Sequence, residues 1–461
     1  MNDAEKLGII ILAAGLGKRM KSDLPKVLQK LCGRPLINYV LDTALALNPE
    51  ICAVVLGFKN ELVRPFISEN VKIAIQEPQL GTGHAVMQTA EIFEKFSGKI
   101  LVLCGDVPLL KLLTLKKLIN QYDKQESDAA ILSAELDDPS GYGRIVRNEH
   151  NEVSAIVEDK DADKNIKAIK EINSGIYCFN SKYLFKYLPN IKNTNAQSEY
   201  YLTDIIDIMV KNKHKVIAVK SANKIEIEGI NNRLQLARLE KELYADTAKS
   251  HLENGVVIND IENVYIDTLS KIGAETVIMA GSVIMNSILG KNCVIDGGAI
   301  SDSEIKENCN IGKSTISKTK IFANVSINDY NVIGDCEIKN NCAIGNNNTI
   351  KNSCIDVNTK IQNNCNIEDM EIGKNCYISN GFSVCNFDGF NNHTSKISDF
   401  VFVGAGCQIV SPVNINSNSY ITSGSTIIKD VEEDSLIMAR FDVVAKRGYM
   451  DKIKKKINGG E

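Results

Sequence analysis

The chain has 461 residues, of which 44% are apolar and 24% charged, and a formal net charge of -4. That length accommodates two or three domains, and the balance is that of an ordinary globular chain. It argues against a strongly basic nucleic-acid binder, and no apolar run approaches the roughly 18–20 residues of a membrane span.

Segment 7–12 is apolar and predicts a buried strand. The polar stretch before it is too short for a signal peptide, so a cytoplasmic location is expected. The strand runs into Leu12-Ala13-Ala14-Gly15-Leu16-Gly17-Lys18-Arg19-Met20, followed by Leu24-Pro25-Lys26. Two glycines allow a tight turn and close backbone approach to a ligand. Backbone N–H groups at a strand end, with Lys and Arg beside them, suit a polyphosphate. The loop is not a Walker A motif, because no Gly-Lys-Ser/Thr ends it. Nor is it a dinucleotide fingerprint, because Met20 stands where a third glycine belongs.

Further strands are predicted at 51–56, 71–75, 99–104 and 129–136, and helices at 35–47, 60–67, 83–95 and 113–122. Such alternation predicts a mostly parallel sheet with helices on both faces and ligands at the carboxyl ends of its strands. Asp106 follows the 99–104 strand, and Gly105 clears space beside it. A carboxylate at that edge suits Mg²⁺, the reading preferred to a cap on the helix that follows. A second glycine loop, Gln76 to His84, offers amides for a base edge or simply turns the chain. Polar clusters follow at Gly141-Tyr142-Gly143-Arg144, Glu158, Glu171-Ile172-Asn173 and Glu228-Gly229-Ile230-Asn231-Asn232. Segment 232–253 reads as a solvated connector helix.

From about Ile272 isoleucines recur in steps of six with an occasional five: Ile321, Ile327, Ile333, Ile338, Ile344, Ile350, Ile355, Ile361, Ile367, Ile372, Ile378. A six-residue repeat of this length predicts a parallel β-helix, each rung a short strand and a turn. Eight of the 13 cysteines fall between Cys293 and Cys385, so they are expected to be small packing residues of the rungs. No CxxC pair suggests zinc. The Asn-rich turns read as solenoid corners. The basic end, with Lys452, Lys454, Lys455 and Lys456, reads as a solvated tail.

The glycine loop with Pro25-Lys26 resembles the signature of sugar-phosphate nucleotidyltransferases. Together with Gln76…Gly81-Thr82-Gly83-His84, Gly105-Asp106-Val107-Pro108, Gly141-Tyr142-Gly143-Arg144, Glu171-Ile172-Asn173 and Glu228-Gly229-Ile230-Asn231-Asn232-Arg233, it follows the motif order of the GlmU family. These are bacterial two-domain N-acetylglucosamine-1-phosphate uridyltransferases and glucosamine-1-phosphate acetyltransferases. The resemblance implies a Rossmann-like nucleotidyltransferase domain at 1–231, a linker helix at 232–253, a left-handed β-helix at 254–440 and a basic tail at 441–461. It implies UTP and N-acetylglucosamine-1-phosphate as substrates, synthesis of UDP-N-acetylglucosamine for cell-wall and lipopolysaccharide precursors, and a homotrimer built through the β-helix.

By the same resemblance, Arg19 and Lys26 act in catalysis, with Leu12, Ala13, Ala14, Gly15 and Gly17 along the nucleotide. Gln76, Gly81 and Thr82 read uracil and ribose. Gly141, Glu158 and Asn173 hold the amino sugar, and Asp106 and Asn231 hold Mg²⁺. Cys104 stands where the family often has Tyr. In the second domain the family's general-base His falls on Asn363 and its Tyr on Asn366, while expected basic residues fall on Ile333 and Asn392. Lys351, Asn386 and Arg440 persist as remnants of an acetyl-CoA-dependent site. Asn cannot take a proton near neutral pH. The expected protein is therefore a uridyltransferase with an altered acetyl site. The alternatives are a bifunctional enzyme using other residues, His393 among them, and a non-catalytic regulatory or scaffold protein.

Overall fold

The computed structural model describes residues 6–439 and 445–457. The chain divides into two compact units, Met1–Glu242 and Leu243–Glu461. The helix Arg233–Glu253 carries the chain from one to the other.

The first unit is built on a nine-stranded sheet. Its strands are β1 (Leu7–Ala13), β2 (Ile51–Leu56), β3 (Lys72–Ile75), β4 (Lys99–Cys104), β5 (Ala129–Glu135), β6 (Arg144–Arg147), β7 (Val153–Val157), β8 (Glu171–Asn180) and β9 (Val216–Lys220). The main order is β9-β5-β8-β4-β1-β2-β3, and β6 with β7 forms a hairpin on β8. Strand β1 is central, with Ile9, Ile10 and Ile11 wholly buried. Apolar clusters cover both faces of the sheet, so its middle strands need not alternate polar and apolar residues. The parallel expectation holds for β4-β1-β2-β3, but β8 runs antiparallel to both β4 and β5. Its register shifts between Asn173 and Tyr177, where Gly175 adopts φ 78°. The irregularity re-aims the side chains around Asn173.

The predicted helix 83–95 is shorter than its periodicity suggests: only Thr82–Met87 is helical, and turns follow. Thr89 turns its hydroxyl back on Val86 O at 2.7 Å, and Phe93 packs so close to Gly8 that a Cβ there would lie 2.6 Å from the ring. The aromatic period belongs to this wedge rather than to a helix.

The second unit is a stack of coils whose strands line up in three parallel sheets of eleven, ten and nine strands. One coil takes 16 or 17 residues, three rungs of six or five. Ile295, Ile311, Ile327, Ile344, Ile361 and Ile378 pair in register and point inward. Each fully buried isoleucine contributes about 1.5–3 kcal/mol, which the small polar corners could not supply. An insertion lengthens one coil to 25 residues and projects the loop after Cys385.

The corners explain the composition. Asn292, Asn308, Asn324, Asn341, Asn358 and Asn375 all have φ between 55° and 61°, a left-handed conformation Asn tolerates well. Their side chains form a ladder, as from Asn341 Nδ2 to Asn358 Oδ1 at 3.0 Å. Beside them Cys293, Cys309, Cys342 and Cys376 are buried and donate to a carbonyl in the next coil at 3.0–3.1 Å. Thr276 and Thr359 perform the same task at equivalent corners. The thiols serve as small, weakly polar donors, and none is in a disulfide. At the basic end Tyr449–Ile457 is helical, with Lys452 and Lys454 exposed.

Candidate active site

A cleft of about 420 Å³ opens at the carboxyl edge of β1 and β4, within the size range of small-molecule sites. Leu12, Ala13, Ala14 and Gly15 form one wall, and Gln76, Gly81 and Thr82 another. Lys26 and Asp106 also line it. The glycines have distinct jobs. Gly17 adopts φ 60°, and a Cβ there would meet Lys26 Cβ at 2.8 Å. Gly15 faces open space, leaving its backbone accessible.

The charged groups converge although they come from distant segments. Lys26 Nζ donates to Asp106 Oδ2 and, at 2.7 Å, to Asn231 Oδ1. Arg19 Nη2 donates to the same Asn231 oxygen at 2.9 Å. The Asn231 turn is tied to Asp106 by Ile230 N–H donating to Asp106 O at 2.9 Å. Gln235 Oε1 accepts the Asn231 N–H at 2.8 Å. Two hard oxygens, Asp106 Oδ2 and Asn231 Oδ1, therefore face one cation, the Lys26 ammonium. That donor set suits Mg²⁺, which commonly takes one or two protein ligands and keeps water and phosphate for the rest. Among the described residues no group of three or more His, Cys, Asp or Glu gathers as a metal cluster.

On the base side, Gln76 is buried and its amide is oriented by Gly81 O at 2.9 Å and by the His84 ring at 3.2 Å. Thr82 Oγ1 accepts Leu202 N–H at 3.0 Å. The residues expected to hold the sugar, Gly141, Glu158 and Asn173, are not among those that line the cleft; Gly141 adopts φ 83° over open space. Glu158 accepts from Thr203 Oγ1 at 3.2 Å, and burial raises its carboxyl above the usual range. Asn173 N–H donates to Gly143 O at 2.8 Å, while its Nδ2 donates to the buried Tyr177 hydroxyl at 2.7 Å. Cys104 also lines the cleft; burial and then the Asp106 charge push its thiol to about 12, so it is neutral near pH 7.

Sequence reasoning missed three contributors. Glu199 enters the cleft from a loop with no periodic pattern. Gly57 has to be small, because a Cβ would meet Ala14 O at 2.8 Å. Gln235 was legible only as part of a connector helix.

In the β-helix the residues expected at an acetyl-CoA site have separate partners. Asn363 is a corner residue: its Oδ1 accepts Asn346 N–H at 2.6 Å, and its own N–H donates to Asn380 Oδ1 at 2.9 Å. Lys351 pairs with Glu368 at 3.7 Å. Asn386 Nδ2 donates to Asp369 Oδ2 at 2.6 Å, and Asp369 also accepts from Asn352. His393 Nε2 lies 2.7 Å from Asp388 Oδ2 on the inserted loop. Arg440 lies outside the described residues.

A glycine-loop cleft on an α/β sheet, joined in one chain to a six-residue-repeat β-helix, defines a nucleotidyltransferase with a hexapeptide domain. Residues 9–225 match the family described as nucleotidyl transferase, and residues 296–385 match that described as GlmU-like, C-terminal hexapeptide. The chain is 39% identical to bifunctional protein GlmU of Geobacillus sp. (strain WCH70), covering 97% of this chain and 98% of that one. It is 42% identical to that of Thermoanaerobacter pseudethanolicus, covering 98% and 99%, and 43% identical to that of Thermosipho africanus, covering 94% of each. The chain belongs to the GlmU family, and its coils form that family's left-handed β-helix.

Proposed function

We propose that the first unit transfers UMP from UTP to N-acetylglucosamine-1-phosphate, giving UDP-N-acetylglucosamine and pyrophosphate. The observation that carries this reading is the convergence of Arg19, Lys26, Asp106 and Asn231 beside the glycine loop. The sugar phosphate is already an anion, so its oxygen attacks the α-phosphorus in line without a general base. The residues position the reactants and neutralise charge. The loop from Leu12 to Gly17 offers backbone N–H groups to the triphosphate, and Arg19 and Lys26 offer cations. Gln76, Gly81 and Thr82 orient the uridine, and Gly141, Glu158 and Asn173 hold the amino sugar. Asp106 and Asn231 would hold Mg²⁺, which supplies charge neutralisation on the phosphates.

A second reading is favoured by full-length similarity to proteins named bifunctional: acetyl transfer from acetyl-CoA to glucosamine-1-phosphate in the β-helix. Asn363 spends its acceptor on the neighbouring coil, so such an activity needs another base. His393, paired with Asp388, is the histidine that follows His251 in the sequence. The proposed assembly is a homotrimer through the β-helix, and the proposed location is the cytoplasm; among the described residues no helix is long and apolar enough to cross a membrane.

The test reads product masses. Purified protein is given N-acetylglucosamine-1-phosphate, UTP and Mg²⁺, and separately glucosamine-1-phosphate with acetyl-CoA. UDP-N-acetylglucosamine alone supports a scaffold role for the β-helix. Both products support the bifunctional reading and move the search to His393. Neither product overturns both readings.

A further inference from the structure

We propose that Lys26 is a built-in counter-ion whose ammonium holds the metal position until nucleotide draws it away, so that metal and triphosphate binding are coupled. The inference rests on the uridyltransferase reading and deepens it. Three observations carry it. Lys26 Nζ contacts both oxygens assigned to the metal, Asp106 Oδ2 and Asn231 Oδ1. Arg19 adds a second cation to the Asn231 oxygen. The Lys26 and Asp106 side chains are mostly buried, 14% and 24% exposed, so water screens the pair poorly.

The arrangement solves an electrostatic problem. Without a cation, Asp106 would sit as a charge of poor hydration beneath the loop, which is costly. With the ammonium in place, a divalent ion must either displace it or share its oxygens with it. Displacement leaves Lys26 unpaired unless a new anion accepts it. The γ- or β-phosphate oxygens of a triphosphate beside Gly15 and Gly17 are such an anion. Metal binding then releases Lys26 and Arg19 toward the phosphates, and phosphate binding clears the oxygens for the metal. Linkage makes the coupling reciprocal. Gly17 fits this role, because its missing Cβ lets the loop rest against the base of Lys26.

The experiment titrates Mn²⁺ into protein free of nucleotide and follows unbound Mn²⁺ by electron paramagnetic resonance. The proteins are wild type, Lys26→Met, Asp106→Asn and the double variant. Removing a unit charge this close to the site should tighten Mn²⁺ binding by Lys26→Met about tenfold or more over wild type. Adding Asp106→Asn should abolish that gain. Equal affinity of wild type and Lys26→Met, or a gain that survives Asp106→Asn, overturns the proposal. The underlying reading is judged separately: Asp106→Asn that still turns over UTP at the wild-type rate overturns the metal assignment itself.

Discussion

Asn231 and Asn363 carry the same amide, and the two units use it in opposite ways. In the first unit Asn231 collects two cations on one oxygen, and one of them, Lys26, lines a cleft built from loops far apart in the chain. In the β-helix Asn363 gives its oxygen to the backbone of the coil before it. The cleft keeps polar groups that a ligand can redirect. The solenoid consumes its polar groups in ladders, because each coil must satisfy the corner of its neighbour. A polar residue is thus a functional candidate according to what its partners are, not according to its type.

The largest expected effect breaks the cleft. Asp106→Ala should lower Mg²⁺-dependent UTP turnover by about 10²–10³-fold or more, the usual loss when a group that organises transition-state charge is removed. Circular dichroism should show the fold retained, since Asp106 stands at the sheet edge and not in its core. An undiminished rate removes the metal role.

The next effect breaks the solenoid and leaves the cleft alone. Ile350 is wholly buried and stacks between Ile333 and Ile367. Ile350→Ala should cost about 2–5 kcal/mol, read as a lower urea midpoint. Uridyl transfer should persist under conditions where the variant remains folded. A smaller change sharpens the contrast between the two amides. Asn363→Ala orphans the Asn346 N–H and should cost about 1 kcal/mol. Any acetyl transfer should be unchanged; loss of a general base would instead cost about 10²–10⁴-fold.

Much of this was legible in the sequence because each signal is local. The step of six isoleucines gives the coil, and the run of apolar residues into Gly15 and Gly17 gives the strand and its loop. The solenoid corners were legible as Asn-rich turns, but their left-handed backbone was not. What escaped depends on long-range placement. Strand β8 is not among the predicted strands, because its start reads as the polar cluster Glu171-Ile172-Asn173, and nothing in its residues declares that it runs antiparallel between β4 and β5. Glu199 reaches the cleft through a loop whose path is set by Tyr200 packing on Gly81 and Gly83. The pairing of Lys26 with its two oxygens joins positions 80 and 205 residues apart.

Titration offers the finest comparison, because one acid in each unit, Asp204 and Asp388, shifts in the opposite direction from the other. Asp204 begins the helix Asp204–Lys211, where the helix dipole alone would favour its charge. Burial, followed by repulsion from Asp207 and Asp161, outweighs the dipole and raises its carboxyl from 3.8 to about 6. Between those values the folded state keeps a proton that the unfolded state has lost. Its contribution to stability therefore falls as pH rises through that window and is level above it. On the β-helix loop, Asp388 is lowered to about 2 by its His393 hydrogen bond and by backbone N–H groups. Its contribution is present above 3.8 and is lost as pH falls toward about 2. Hydrogen exchange, corrected for the intrinsic pH dependence, separates the two. Protection of helix Asp204–Lys211 should decline from pH 4 to 6, and Asp204→Asn should flatten that decline. The loop around Asp388 should instead lose protection only below pH 4. A helix whose wild-type protection ignores pH would mean that Asp204 ionises freely, and that neighbouring charge and burial do not outweigh the dipole there.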